Sequence, residues 1–146
     1  MRFRVPAEVA DGVRRLAAKL GHKPARISAR LVEEGLRRRD HPLIELRDTA
    51  AGRVAYVKGT RLAVYWLVAA VRRLNGDVEK AANTWAIPVE KVRAALEYAA
   101  AFRDEIAADM DDADANRVLL QRSEAAFARA AGQRLDSNAR GRNKRS

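Results

Sequence analysis

The first six residues alternate basic and apolar side chains and end at a proline, and this pattern limits how the chain can begin to fold. In an extended strand, successive side chains point to opposite faces. Phe3 and Val5 would therefore face a core. Arg2 and Arg4 would project together from the opposite side. A strand of this length leaves its backbone groups unpaired unless a second strand lies beside it, so we expect it to pair with its own copy in a homodimer.

Two amphipathic helices are predicted to follow this strand. Pro6 suits the first position of a helix, Gly21 suits a helix end, and Pro24 suits the start of the second helix. Each helix carries one apolar stripe at helical spacing, so we expect residues 1–40 to form one strand–helix–helix unit. The stripe residues are Val9, Val13, Leu16, Ala17 and Leu20 in the first helix and Ile27, Leu31, Val32 and Leu36 in the second.

The distribution of charge singles out this unit. The 146-residue chain has a formal net charge of +10, and residues 1–40 alone carry +6 of it. Such a balance favours a polyanionic partner, most often nucleic acid, because basic side chains release the counterions condensed on it. A two-stranded ribbon also fits the major groove of DNA. Residues 1–40 are therefore the best candidate for contact with nucleic acid.

This N-terminal unit resembles the ribbon–helix–helix family of DNA-binding proteins. The likeness rests on the R-F-R-V-P strand, the helix pair broken by a glycine and the E-E-G-L-R-R-R ending. In that family, two chains intertwine and their paired strands enter the major groove. The resemblance implies that Arg2 and Arg4 contact base edges, where arginine is the best bidentate partner of guanine. It also implies that Lys23 and Arg26, at the start of the second helix, lie against phosphate. The alternative is a small helical hairpin with a solvated basic strand.

Residues 41–110 are nearly neutral and predict a second module, which begins at the His41-Pro42 boundary. The last two predicted helices have helix-turn-helix proportions, with the break at Ala86-Ile87. The predicted elements are strands at residues 43–46 and 53–57 joined by a turn through residues 48–52, a helix over residues 62–74, a short helix from Val78 capped by Asp77, and a long helix from Pro88 through Ile106.

The second helix of this pair has a mixed surface. Lys91 and Arg93 are expected to be exposed cations and are candidates for DNA contact. Glu90 and Glu97 are expected to be exposed anions, which match phosphate poorly. Two interpretations therefore stay open for residues 41–110: direct contact with DNA, or a structural module for dimerisation or partner docking.

A second resemblance covers about residues 41–107. The strings V-K-G-T-R-L-A-V and D-V-E-K-A-A-N-T-W-A-I-P-V-E-K-V-R-A-A-L-E-Y are similar to a small prokaryotic domain family that carries G-T-R-[ILV]-x-V ahead of a helix-turn-helix core. Its members are known as VapB-like antitoxins of type II toxin–antitoxin modules, and many stand beside PIN-type ribonuclease toxins. Judged from the residues alone, Gly59 is expected to serve a tight turn, and Thr60 is expected to cap the helix beginning near Leu62.

The C-terminal part predicts a further helix over residues 111–131 and a disordered basic tail over residues 132–146, after an acidic cluster from Asp109 to Asp114. The antitoxin resemblance implies that this stretch lies in a groove of the toxin, with apolar anchors and an arginine facing a carboxylate-rich metal site. The alternative is a helix packed on its own dimer, followed by a solvated tail. The toxin-binding candidates are Leu119, Leu120, Arg122, Phe127, Arg129 and Arg134.

The residue types argue against an enzyme. The chain has no cysteine, and His22 and His41 are isolated in turns, so no nucleophile–base or zinc pattern is present. The acidic cluster lacks the glycine turn of a calcium loop, so we expect no metal and no cofactor. No apolar run approaches the ~20 residues of a membrane span and no signal peptide opens the chain, so we expect a cytoplasmic protein without a membrane partner.

We therefore expect a mainly α-helical homodimer with a ribbon–helix–helix-like N-terminus, a short β-hairpin, a three-helix core with a helix-turn-helix, and a C-terminal helix. The expected function is that of an antitoxin, which neutralises a PIN-type ribonuclease toxin and binds operator DNA as an autorepressor. The alternatives are a non-catalytic protein-interaction scaffold and a stand-alone transcriptional regulator.

Overall fold

The computed structural model describes residues 2–143, except for the side chains at 135–138 and 141–143. This part of the chain is mainly helical and includes one antiparallel sheet of two strands. The chain divides into two compact units, Met1–Ala101 and Phe102–Ser146. The elements are α1 (Ala7–Leu20), α2 (Pro24–Asp40), β1 (Ile44–Thr49), β2 (Gly52–Val57), α3 (Val64–Arg73), α4 (Val78–Thr84), α5 (Val89–Ala101) and α6 (Arg103–Asn143).

The two N-terminal helices form as the sequence predicts. Gly21 ends α1 in the left-handed conformation, with a φ of 66°, and its N–H donates to the Ala18 carbonyl at 3.3 Å. Pro24 opens α2, where its missing N–H leaves no hydrogen bond unmade. Residues 2–6 form neither helix nor strand in the single chain, so the pairing of this segment with a second copy stays a prediction.

The predicted hairpin is confirmed. Strands β1 and β2 pair antiparallel from Ile44 opposite Val57 to Thr49 opposite Gly52. The connection is only two residues long, because Thr49 closes it with its own side chain. The Thr49 hydroxyl donates to the Gly52 carbonyl at 2.9 Å and accepts the Ala51 N–H at 3.2 Å.

The core of the first unit lies among β2, α3 and α5. Most apolar side chains of α3 are buried, with Val64 and Leu67 fully inaccessible to solvent. From the facing helix, Val92 and Tyr98 contribute the largest buried side chains of α5. The predicted cap of α4 is also present, since the Asp77 carboxylate accepts the Lys80 N–H at 2.8 Å.

Thr60 does not cap a helix, so this detail of the sequence prediction is wrong. Helix α3 begins only after Ala63, which makes no side-chain cap. The Thr60 hydroxyl accepts the Leu62 N–H at 3.0 Å and donates to the Val57 carbonyl at 2.8 Å. It therefore closes the turn in which Gly59, at a φ of 75°, takes the left-handed conformation expected of a tight turn.

The long helix predicted from Pro88 through Ile106 ends earlier than predicted. Helix α5 ends at Ala101 rather than continuing through Ile106, and α6 starts at Arg103. The Phe102 carbonyl accepts the Ile106 N–H at 3.1 Å and so begins the new helix. Asp104 and Glu105 occupy its first turn, where carboxylates stabilise the positive end of the helix dipole.

Helix α6 then runs without interruption through the acidic cluster and through residues 132–143, where the sequence predicts a disordered tail. No proline or glycine occurs in residues 103–131, and alanine, the strongest helix former, is frequent there. Within the cluster, Asp114 pairs with Arg117 one turn later at 2.8 Å. Residues 144–146 of the predicted tail lie outside the described residues.

Candidate nucleic-acid and partner-binding surfaces

The N-terminal helix pair leaves most of its apolar side chains in solvent. Within α1 and α2, Ala17 and Ile27 are the buried apolar residues. The exposed ones lie on both helices and on the segment before them, a pattern typical of a surface that packs against another protein. They are Phe3 (71% exposed), Val5 (54%), Val9 (50%), Leu20 (39%), Leu31 (43%), Val32 (56%) and Leu36 (56%).

The predicted DNA-binding residues of the N-terminal segment and helix pair, residues 1–40, are all exposed. Arg2 and Arg4 lie in the segment before α1, on either side of Phe3. Lys23 is the N-cap residue of α2 and makes no side-chain cap, while Arg26 lies in the first turn. This turn contains no acidic residue, so its positive end is not neutralised from within the helix.

A buried carboxylate joins α2 to the hairpin, and the sequence analysis missed it. Glu34 accepts two hydrogen bonds from Arg53 of β2, at 2.7 Å to Oε1 and 2.5 Å to Oε2. Arg30, one turn earlier on α2, donates to the same carboxylate at 3.1 Å. Asp48 of β1 pairs with both arginines at 3.3 Å. These four residues form the Glu34 cluster.

In the Glu34 cluster, Glu34 and Arg53 each stabilise the charged form of the other. The bidentate hydrogen bond from Arg53 lowers the pKa of Glu34 below its usual value, and burial, which alone would raise the pKa, does not reverse the shift. The same contact raises the pKa of Arg53. The spacing of Arg30 and Glu34 marks an ion pair in the sequence, but the main partner lies 19 positions further on. Only the folded hairpin brings it to α2.

A second contact ties the end of α2 to α5. The Arg37 guanidinium donates to the Tyr98 hydroxyl at 2.8 Å, and the same arginine pairs with Glu33 at 2.5 Å. The His41 and Tyr98 rings lie nearly perpendicular in an edge-to-face contact, with 5.2 Å between their centroids. Together with the Glu34 cluster, this contact fixes one face of α2 to the rest of the first unit and leaves its apolar face outward.

The two predicted DNA-binding cations of α5 have partners inside their own module. Lys91 donates from Nζ to the Lys58 carbonyl at 2.8 Å and so holds the turn before α3 against α5. Arg93 pairs with Glu79 of α4 at 3.1 Å. Both contacts join parts of the same module, and DNA contact by Lys91 and Arg93 stays a prediction.

The predicted toxin-binding residues are brought to different faces of α6. Leu120, Phe127 and Arg134 follow one another at intervals of seven residues, about two helical turns, and therefore share a face. Arg122 and Arg129 share another face, about 160° away around the helix axis. Leu119 lies between the two faces. The apolar members are widely exposed, at 61% for Leu119, 63% for Leu120 and 79% for Phe127.

The acidic cluster of α6 contains one unusual carboxyl group. Burial, together with the neighbouring carboxylates of Glu105 and Asp112, raises the pKa of Asp109 to about 6. Among the residues that the structure describes, no three metal-ligating side chains come together. The raised pKa of Asp109 shows that the carboxylates of Glu105 and Asp112 repel its ionised form.

Comparison with known proteins gives no relative for this chain, since no protein-family model, no curated protein and no solved structure matches it. Over the described residues, no helix has the length and apolar character needed to cross a membrane.

Proposed function

We propose that the protein is an antitoxin and autorepressor, a homodimer whose N-terminal unit binds operator DNA and whose C-terminal helix neutralises a PIN-type ribonuclease toxin. The distribution of exposed apolar side chains carries this proposal. Apart from Trp66, the large apolar residues exposed in the described chain lie either in residues 3–36 or in residues 118–127. A chain with apolar surface at both ends, each beside arginines, has two places for macromolecular partners.

The DNA-binding half of the proposal is supported by charge and exposure. Arg2 and Arg4 are exposed beside Phe3 and Val5, whose own exposure fits burial against a second copy. Pairing of two such segments would present four arginines on one surface, and each bidentate contact with guanine contributes ~1–3 kcal/mol of discrimination.

The toxin-binding half is supported by one face of α6. Leu120 and Phe127 are among the most exposed large apolar side chains described in the protein. Arg134 follows on the same face and offers a charge for a carboxylate-rich groove. An amphipathic helix that lays such a face into a groove is a recurring mode of recognition.

The toxin-binding half is tested by placing charge on this face. The double variant Leu120→Asp/Phe127→Asp should abolish inhibition of the PIN-type ribonuclease that the proposal names as the partner, because a carboxylate would meet an apolar groove. Gln121→Asp/Ala128→Asp adds the same charges at the same spacing on another exposed face and should inhibit like the wild type. The measurement is RNA cleavage at a fixed nuclease concentration with rising antitoxin. Equal inhibition by all three proteins would refute this half.

A protein-interaction scaffold is the second candidate, and the internal contacts of Lys91 and Arg93 favour it for residues 41–101. A scaffold whose basic charge serves only solubility should bind DNA without preference for its own promoter. Titration of promoter and scrambled duplexes over a salt series separates the two candidates, because both lose affinity with salt but only the autorepressor prefers its promoter.

A further inference from the structure

The charges of α6 are divided along its length. Residues 103–114 contain six acidic side chains and one arginine, whereas residues 115–134 contain four arginines and a single acid. Two such helices placed side by side attract each other when they run antiparallel and repel when they run parallel. Antiparallel neighbours also oppose their helix dipoles.

One face of α6 carries both signs of charge in a regular pattern. Asp104 and Asp111 are seven residues apart, and Arg122 and Arg129 are seven residues apart on the same face. Side chains between them on this face are small or apolar and exposed, which allows close approach of a second helix. They are Ala108, Ala115, Leu119 and Ala126. We call these eight residues the pairing face.

The charged groups of the pairing face are not used within the chain. Among the side chains that the structure describes, Asp104, Asp111 and Arg122 form no ion pair, whereas Asp114 and Arg117 on another face pair with each other. Arg129 donates its Nε–H to the Ala125 carbonyl of its own helix at 3.2 Å. No carboxylate of the described chain pairs with it.

We propose that α6 pairs antiparallel with the α6 of a second copy through the pairing face. A two-fold axis midway between positions 116 and 117 places Asp111 opposite Arg122 and Asp104 opposite Arg129 in one register. Symmetry repeats both contacts, so four ion pairs flank a centre formed by Ala115 and Leu119. A single register satisfies every charge of this face, because the two acids and the two arginines have the same spacing of seven residues.

The pairing divides the six predicted toxin-binding residues by role. Arg122, Arg129 and Leu119 belong to self-association. Leu120, Phe127 and Arg134 remain on the other side of the helix, where a different protein has access to them. The proposal goes beyond the antitoxin function and needs neither toxin nor DNA for its test.

Single cysteines in the full-length chain test the pairing, since the protein contains no cysteine of its own. In the proposed register, the two copies of position 115 lie on the pairing face and are offset along the axis by about three residues, roughly 4.5 Å. Ala115→Cys should therefore form a disulfide-linked dimer under mild oxidation. Asn116→Cys, turned about 100° away, is the matched control and should link at least about tenfold more slowly.

Charge reversal in the Ala115→Cys background makes the test specific. Arg122→Asp/Arg129→Asp turns four attractive contacts into four repulsive ones and should slow linkage about tenfold, since exposed pairs contribute ~0.2–1 kcal/mol each. Adding Asp104→Arg/Asp111→Arg restores complementarity and should return linkage to within about twofold of its original rate.

A mixture provides an independent measurement. A protein carrying only Asp104→Arg/Asp111→Arg should link to one carrying only Arg122→Asp/Arg129→Asp, although each alone links slowly. The proposal is overturned if positions 115 and 116 link equally fast, if charge reversal has no effect, or if neither the fourfold variant nor the mixture recovers linkage. Circular dichroism of each variant shows whether the helix is retained.

Discussion

Large apolar residues and arginines occur both in the middle of the first unit, from β1 to α5, and at the two ends of the chain, but they differ in how much they are exposed to solvent. From β1 to α5, most of the large apolar side chains are buried, Trp66 being an exception, and the cations Lys91 and Arg93 contact other parts of the same module. Before α1 and along α6, apolar side chains are exposed beside arginines. Similar residue types therefore make a closed core in one place and open surfaces in the others. This difference is the basis for the proposal that partners bind at the two ends of the chain.

The largest expected loss of stability comes from creating a cavity in the core between β2, α3 and α5. Leu67→Ala should destabilise the protein by about 2–5 kcal/mol, because it leaves a cavity at a fully buried position. Leu36→Ala, on the exposed face of α2, should cost well under 1 kcal/mol in dilute protein. Urea denaturation of both variants measures the contrast. Similar losses at low concentration would show that the apolar face of α2 is already covered.

The next effect concerns the link between the N-terminal helix pair and the middle. Glu34→Gln should cost about 2 kcal/mol, because it leaves the Arg53 guanidinium without its bidentate partner. Glu33→Gln removes a charge from the neighbouring, more exposed position and should cost less than 1 kcal/mol. Thermal unfolding of the two variants checks the difference, and equal melting temperatures would contradict a supporting role for the Glu34 cluster.

The same cluster predicts how stability depends on pH. The pKa of Glu34 lies below its usual value of 4.5, so its ionised form stabilises the folded state. This contribution is complete above pH ~4.5 and is lost as the pH falls through the lowered pKa of the folded state. The wild type should therefore lose melting temperature more steeply than Glu34→Gln below that pH. Parallel curves between pH 3 and pH 6 would contradict the assignment.

The smallest stability effects are expected at the ends. Leu31→Ser/Leu36→Ser should leave the melting temperature of dilute protein almost unchanged, because both side chains are already in solvent. The double variant should instead weaken self-association, if the N-terminal unit pairs with a second copy. Sedimentation equilibrium over a range of concentrations measures this, with Leu120→Ser/Phe127→Ser as the matched control at two exposed apolar residues of α6. An unchanged dimer would place the contact elsewhere.

Local features of this fold were predictable from the sequence because they depend on neighbouring residues. Gly21 ends α1, Asp77 caps α4 and the hairpin forms in the predicted region, although β1 extends to Thr49, into the predicted turn. The Glu34 cluster was not predictable, since Arg53 meets Glu34 only after β2 has folded against α2. Lys91 shows the same limit, because its partner is a carbonyl 33 residues earlier in the chain.

The C-terminal helix was predicted in part and misplaced at both ends. Its start was signalled by Asp104 and Glu105, which suit the first turn of a helix and were assigned instead to the end of the preceding one. Its continuation beyond residue 131 has no local signal, because residues 132–143 contain two glycines and two asparagines, which are weak helix formers, and few apolar residues.

One comparison of matched variants tests whether DNA is bound by the N-terminal segment or by α5. Arg2→Ala/Arg4→Ala removes two exposed cations from the N-terminal end, and Lys91→Gln/Arg93→Gln removes two from the middle. Binding of each full-length variant to its own promoter duplex is measured by fluorescence anisotropy at fixed salt. The end variant should lose ~1–3 kcal/mol for each bidentate contact, and the middle variant should bind nearly as the wild type does. Loss of affinity in the middle variant alone would contradict this account.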